Sequence, residues 1–530
     1  MKRLLALMLT CLLLTGCGEG IPAATETAPP DYKTSDDLTY DSRFESETVI
    51  RLADDGMDVT GPESLTVFRT HDIIYYEDRD TYESGNPYGE GETADKHTAE
   101  EAAAHTVVNI TQPGAYRITG KLSAGQIRID LGEDAYDDET AVVELILDNV
   151  DITCTVAPAI LFLNVYECDG DWSEDTAKPD VDTSNAGANL ILENENTVDG
   201  SYVARIYKDQ EGEKKLWKQD GAIYSYMSMN VSGTGSLELN AENEGLDTEL
   251  HLTINSGGLV IRSGNDGINT NEDGVSVTTI NGGSVHITAG LGEEGDGIDS
   301  NGYLVINGGR VVAAANPAAD AGLDSDLGSY INGGTVIALG SAMDWAESDS
   351  GQVTMNLQFA QYRNAADSIV VTAEDGTEIF SYDPAADAVL GDNTRRFMGM
   401  VVSCPAFKQG ETYQVYAGGV QMMYTGTDVM MRPGGMGGGF GGDMPDNAPP
   451  EGIGGERPEM PEGQIPTWPE GEIPPMPEGE RPTMPQGGFG GRPDGFGGRH
   501  ESNPSDSEGN ALFYMQDMVN FFSGLTAASE

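Results

Sequence analysis

Four copies of a block of about 25 residues follow one another between Leu246 and Ala338, and nothing else in this 530-residue chain limits its fold as tightly. Each copy carries two short words. The first reads Ile254-Asn255-Ser256-Gly257-Gly258, then Ile280-Asn281-Gly282-Gly283, Ile306-Asn307-Gly308-Gly309 and Ile331-Asn332-Gly333-Gly334. The second reads Glu244-Gly245-Leu246-Asp247, Asp266-Gly267-Ile268-Asn269, Asp296-Gly297-Ile298-Asp299 and Ala321-Gly322-Leu323-Asp324. Such a period is too short for a pair of helices. With Val, Ile and Thr set between turn residues, each copy reads as one rung of a coiled parallel sheet, unable to bury its apolar face except against the next rung.

Superposing the rungs produces columns. Ile254, Ile280, Ile306 and Ile331 align, as do Leu259, Val285, Val311 and Val336, and Ile261, Ile287, Ala313 and Ala338. These apolar columns alternate with polar or small residues, which turns them inward. The column Asn255, Asn281, Asn307 and Asn332 predicts a ladder of side-chain amides, bonded from rung to rung at the ~4.8 Å spacing of strands. The glycine pairs that follow supply the positive φ of a sharp corner.

Acidic columns carry the candidate chemistry. Stacking brings Glu244, Asp266, Asp296 and Asp320 along one edge, Asp247, Asn269, Asp299 and Asp324 beside them, and Glu249, Asn271, Asn301 and Asp326 one turn further on. Two carboxylates about 5 Å apart repel by roughly 1 kcal/mol in water and several-fold more at a protein surface. A hard divalent cation held between neighbouring rungs cancels that repulsion, and mixed Asp and Asn oxygens suit calcium better than a transition metal. Asp-Gly is also an ordinary turn word facing water. Its recurrence on adjacent rungs favours the cation.

Shorter strand words extend the pattern upstream, beginning near Val107 with Val107-Val108-Asn109-Ile110, Gly114-Ala115-Tyr116-Arg117-Ile118 and Gln126-Ile127-Arg128-Ile129. From Val107 to Leu339, the order of these words, the run Asp296-Gly297-Ile298-Asp299-Ser300-Asn301 and the Ile-Asn-Gly-Gly-x-Val words resemble a known family. It comprises calcium-binding right-handed parallel β-helix proteins, described as a carbohydrate-binding domain and similar in shape to pectate lyases. The resemblance implies binding of polygalacturonate without an established cleaving activity. It supports Asp266, Asp296, Asp299, Asn301, Asp324 and Asp326 as calcium ligands, and the columns add Asp247 and Asp320. Asn269 and Ala321 depart from the Asp-rich pattern, so the first and last sites are expected to be weaker or absent.

The expected fold class is therefore all-β. A right-handed parallel β-helix (β-solenoid) spans 107–345, a small β-sandwich-like module 346–432, and a disordered Gly/Pro/Met/Glu-rich segment 433–508. For 509–530 two readings stand: Leu512, Met515, Val519 and Phe522 share a helical face, whereas the family resemblance makes 511–524 a strand returning to the small module. Residues 49–106 read as irregular β with an acidic, tyrosine-rich insert.

The first residues predict a compartment. Lys2 and Arg3 precede an apolar run closed by Leu14-Thr15-Gly16-Cys17, the pattern of a bacterial lipoprotein signal over 1–17. Cys17 is the expected lipidation site, residues 18–48 a flexible spacer, and the rest an extracytoplasmic, surface-tethered monomer that meets the membrane only through its lipid. Cys154, Cys168 and Cys404 form an odd set without C-x-x-C spacing, which argues against zinc or redox chemistry. A formal net charge of −60 excludes binding to nucleic acid or anionic lipid through the chain's own field. An anionic partner, such as an acidic polysaccharide, needs divalent cations between it and the protein.

One basic cluster, Arg205, Lys208, Lys214, Lys215 and Lys218, interrupts the series over 202–220. It reads as a contact for an acidic sugar or as a solvated loop balanced by its own acids. Two further functions compete with calcium-dependent polysaccharide binding. A calcium-assisted polysaccharide lyase needs a Lys or Arg base, yet Arg262 and Arg310, alone of their kind in the repeats, read as outward surface residues. A structural envelope or adhesion protein would use calcium only to stiffen its rod.

Overall fold

The computed structural model describes residues 40–76, 97–170, 173–174, 176–207, 217–341, 344–364, 367–384, 395–426 and 509–528. The expected lipoprotein signal with Cys17, most of the expected spacer and the Gly/Pro-rich segment 433–508 lie outside the described residues. Among the described residues the protein is nearly all-β, with a 24-stranded sheet, a 9-stranded sheet and a two-stranded hairpin. Helix among the described residues is confined to short turns such as Ala99–Ala103, which starts at a capping box between Thr98 and Glu101.

Within the two large sheets the strands form three parallel stacks. The first runs through Gly114–Leu122, Val143–Thr153, Ala188–Glu193, Met229–Gly233, Leu252–Ile254, Val277–Ile280, Tyr303–Ile306 and Gly328–Ile331. The second contains Glu195–Gly200, Ser236–Ala241, Gly258–Ser263, Ser284–Thr288, Arg310–Ala314 and Thr335–Gly340. The third contains Thr106–Ile110, Gly125–Asp130, Ile160–Asn164, Gly221–Ser225, Glu244–Thr248, Ile268–Thr270, Ile298–Ser300 and Leu323–Ser325. Parallel pairing starts earlier than Val107, because Glu47–Ala53 pairs in parallel with Gly114–Leu122.

The apolar columns are the reason the stacks hold. Ile254, Ile280, Ile306 and Ile331 are fully buried, and so are Leu259, Val285, Val311, Val336, Ile261, Ile287, Ala313 and Ala338. They join Leu246, Ile268, Ile298 and Leu323 from the third stack in one core. Each such aliphatic side chain contributes about 1.5–3 kcal/mol on leaving water, against roughly 1–2 kcal/mol for ordering each residue's backbone.

The predicted amide ladder is present. Asn281 Nδ2 donates to Asn255 Oδ1 at 2.9 Å, Asn307 Nδ2 to Asn281 Oδ1 at 3.0 Å, and Asn332 Nδ2 to Asn307 Oδ1 at 3.0 Å. The backbone N–H of Gly351 closes its end on Asn332 Oδ1. Behind each rung of the ladder a glycine turns the chain at positive φ, for example Gly283 at +80° and Gly309 at +78°.

A small antiparallel module follows the last rung. Phe397–Ser403 pairs antiparallel with Thr335–Gly340 and with Thr354–Arg363, so the exposed edge of the second stack is covered. Val519–Ala527 is a strand, parallel to Thr354–Arg363, and Phe513–Tyr514 pairs with Thr412–Ala417. The apolar residues of this C-terminal segment, Phe513, Met515 and Phe522, are buried in the module's own core with Phe359 and Tyr413. That core also takes in Val312 and Ile337 from the outer side of the second stack.

Candidate acidic cation site

The acidic columns lie on the third stack, and a glycine accounts for their closeness. Gly267 has ordinary backbone angles, but a Cβ there would sit 2.2 Å from Ile287 Cγ2 and 2.6 Å from Gly297 O. Glycine in the Asp-Gly word therefore serves close approach to the core and to the next rung, rather than a left-handed turn.

Asp247, Asn269, Asp299 and Asp324 are in register on four successive strands, as the alignment of the repeats requires. The neighbouring column follows the alignment of the Asp-Gly words. Glu244, Asp266 and Asp296 align, but the next position in register is Ala321, and Asp320 stands one residue away. This column also has a backbone duty. Asp266 Oδ1 accepts from the N–H of Asp296 at 2.6 Å, Asp296 Oδ1 from the N–H of Ala321 at 2.5 Å, and Asp320 Oδ2 from the N–H of Gly295 at 2.9 Å. Each acid thus ties its rung to the next, which leaves at most its remaining lone pairs for an ion.

In the third column the amides act as spacers between acids. Asn271 Nδ2 donates to Asp247 Oδ1 at 2.6 Å, and Asn301 Nδ2 to the carbonyl of Asn271 at 2.8 Å. Asn269 Nδ2 reaches Glu244 Oε2 at 3.2 Å. Glu249 receives the hydroxyl proton of Tyr224, while Asp326 is exposed.

Burial makes the cluster electrostatically costly. Asp247 is 0% exposed and Glu244 4%, with Asp266 and Asn269 also buried. Burial first, and then repulsion from Asp324 and Asp326, pushes the Asp299 carboxyl up to about 8. Asp247, Asp266 and Asp296 are raised well above the usual carboxylate range by burial and then by neighbouring carboxylates: Glu244 for Asp247, Glu244 and Asp299 for Asp266, Asp324 and Asp299 for Asp296. Burial raises Glu244 too, against the pull of Lys218.

Two buried oxygens in the cluster lack a hydrogen-bond donor, Asp247 Oδ2 and Asn269 Oδ1. They lie on adjacent strands in register. A hard cation suits such a pair of orphaned acceptors, since leaving them bare costs about 1–3 kcal/mol each. Among the described residues no three His, Cys, Asp or Glu side chains gather tightly enough to hold a metal alone. The physical reason is the interleaving of Asn269, Asn271 and Asn301 with the acids, so an ion here would draw on amide and backbone oxygens as well.

Lys218 corrects the reading of the basic cluster. Its Nζ lies 2.6 Å from Asp220 Oδ2, so it is balanced by an acid of its own segment, but with only 17% of its side chain exposed it is buried rather than solvated; the side chain of Arg205 and residues Lys208, Lys214 and Lys215 lie outside the described residues. Burial works against its charge, but Asp220, Glu244, Asp247 and Glu249 outweigh burial and hold the ammonium well above its ordinary range. No periodic signal marks Lys218, which sits in an insertion; only the acid Asp220 two residues on hinted at a partner. Arg262 and Arg310 stand on the second stack, where Arg262 pairs with Glu238 at 2.7 Å. The cysteines Cys154, Cys168 and Cys404 are free thiols, and burial pushes Cys154 up to about 11.

A well-formed concavity lies elsewhere. A trough of about 770 Å³ follows the first stack and the amide ladder past Asn230, Thr253, Thr279, Val305 and Tyr330, and none of its lining residues belongs to the acidic columns. Thr183, on a loop that lines it, has its hydroxyl 2.8 Å from Asn230 Oδ1 and 2.7 Å from Thr253 Oγ1, donating to one and accepting from the other.

Residues 104–400, more than half of the chain, match the family model "Carbohydrate-binding domain-containing protein". A protein of that description from Acetivibrio thermocellus is 28% identical over 157 residues, which is 29% of this chain and 45% of the relative, so the match spans less than half of that relative's length. A solved structure, a gadolinium derivative of a polysaccharide lyase-like protein from C. thermocellum, is similar at 21% identity and a TM-score of 0.30, over 55% of this chain and 94% of the other. By its match to the family model, the chain belongs to the carbohydrate-binding domain-containing proteins.

Proposed function

We propose that this protein binds acidic, uronate-containing polysaccharide through calcium ions seated along the acidic columns, without cleaving it. The three stacks are then successive faces of a right-handed parallel β-helix, and Cys17 is the lipid-bearing residue that tethers it outside a bacterial membrane. The observation that carries the reading is the in-register series Asp247, Asn269, Asp299 and Asp324 on four successive strands, in which Asp299 and Asp324 set two carboxylates side by side. Oxygens from Asp299, Asn301, Asp324 and Asp326 would hold further ions, and Asp266 and Asp296 would contribute the carboxylate oxygen that their backbone bonds leave over.

Calcium with open coordination positions accepts carboxylates. It would join an acidic glycan to a protein of formal net charge −60, which otherwise repels it. A lyase would need a base beside the same ions. Arg262 and Arg310 are on another stack, and Lys218 is committed to Asp220, so the binding role is favoured.

The deciding experiment is affinity of the full chain for polygalacturonate and for a neutral polysaccharide, with calcium and with chelator. Binding of polygalacturonate should require calcium, fall at least tenfold in Asp299→Asn together with Asp324→Asn, and yield no unsaturated uronate absorbance. Chelator-insensitive binding, or rising absorbance, would remove the proposal.

A further inference from the structure

Lys218 belongs to an insertion and not to the repeat, yet it stands beside the acidic columns at their first step. Its strand, Trp217–Gln219, pairs antiparallel with Val203–Tyr207 in a hairpin separate from both large sheets. The backbone is pinned where it meets the third stack: Tyr226 Oη donates to the carbonyl of Lys218 at 3.2 Å, and Gln219 Nε2 donates to Tyr226 Oη at 3.3 Å. From there the ammonium reaches Asp220 at 2.6 Å and feels Glu244, Asp247 and Glu249. Its field extends weakly as far as Asp299.

We infer that Lys218 is a tethered cation placed beside the first step of the acidic column, where its charge keeps a divalent ion out. The inference rests on the cation-binding reading of the columns given above. The ammonium is paired with Asp220, and the chain there packs directly on the column: the N–H of Glu244 donates to the carbonyl of Asp220 at 3.1 Å, and a Cβ on Gly221 would lie 2.5 Å from Asp247 Cβ. A primary ammonium is a compact point charge with three donors and suits such a pocket, but it carries half the charge of calcium and cannot be coordinated by oxygens in the same way. The orphaned Asp247 Oδ2 and Asn269 Oδ1 lie at this step. With Lys218 made neutral, they and the carboxylates of Asp220 and Glu244 become a hard-oxygen set for one divalent ion. The hairpin thereby sets where the row of ions begins: calcium occupies the column from the following rungs onward, and its first step stays charged in the absence of metal.

The test compares Lys218→Gln and Lys218→Arg with the parent chain, stripped of metal and titrated with calcium by calorimetry and with terbium by luminescence. Tyr224 and Tyr226 flank the step, their rings 5.0 Å apart, and sensitise a lanthanide bound there. Lys218→Gln should take up one equivalent more than the parent and raise tyrosine-sensitised terbium emission severalfold, while Lys218→Arg stays at the parent's level. Equal uptake and equal emission in Lys218→Gln and parent overturn the inference. Should Lys218→Gln fail to fold in chelator, refolding it with calcium decides: rescue by the ion supports the inference, and failure of rescue overturns it. Uptake by the variant alone would sustain the lysine's role while refuting calcium binding by the native columns, and uptake by neither would refute both.

Discussion

Chelated protein should lose stability as pH rises through the neutral range, the reverse of ordinary acid denaturation. Asp299 illustrates the sign. Its folded carboxyl is pushed up to about 8 by burial and by Asp324 and Asp326, whereas an unfolded aspartate titrates near pH 4. Between these values the folded protein keeps a proton that the unfolded chain has released. Stability is then fully present below about pH 4 and falls by about 1.4 kcal/mol for each pH unit, until the folded group itself ionises. From pH 5 to pH 7 the loss is about 3 kcal/mol for Asp299 alone, and Asp247, Asp266 and Asp296 are raised in the same direction. A divalent ion replaces the proton as the neutralising charge, and at a hundred times its dissociation constant each ion returns about 2.7 kcal/mol. Thermal unfolding followed by circular dichroism in chelator should therefore show Tm falling by several degrees from pH 5 to pH 7, at roughly 2–4 °C per kcal/mol. Calcium should flatten the slope, and Asp299→Asn should reduce it. A Tm in chelator that is constant or rises over this range, or an unaltered slope in Asp299→Asn, would refute the reasoning.

Two structural predictions follow from the repeat itself. Asn307→Ala removes the bonds to Asn281 and Asn332, both 3.0 Å; because position 307 is exposed and water can replace part of each bond, the cost is about 1–2 kcal/mol, read from the denaturant midpoint. Gly267→Ala forces a methyl to within 2.2 Å of Ile287 Cγ2, so it should destabilise by about 3 kcal/mol or more and weaken calcium uptake with it, through displacement of Asp266.

Wherever the repeat is strict, the amino-acid order was enough to anticipate spatial neighbours. A parallel stack moves the chain sideways by one strand per rung, so equivalent positions in the sequence become adjacent in space, with inward and outward faces set by alternation. Hence the buried Ile280 and Ile306, the Asn281–Asn307 bond and the Asp299–Asp324 register were all legible before any coordinates. The C-terminal segment was ambiguous, since its apolar spacing fits either a helix or a strand; pairing of Val519–Ala527 with Thr354–Arg363 is a contact between distant parts of the chain that no local pattern encodes.

At the acidic face, the kinds and order of the oxygens came from sequence alone, but their duties did not. Only three-dimensional packing made Asp266 and Asp296 acceptors for the next rung's amides and buried Lys218 against Asp220. Corner geometry and an inserted hairpin break the repeat at those points. Once periodicity is broken, the distance between two side chains depends on how the whole chain packs rather than on how far apart they lie in the sequence.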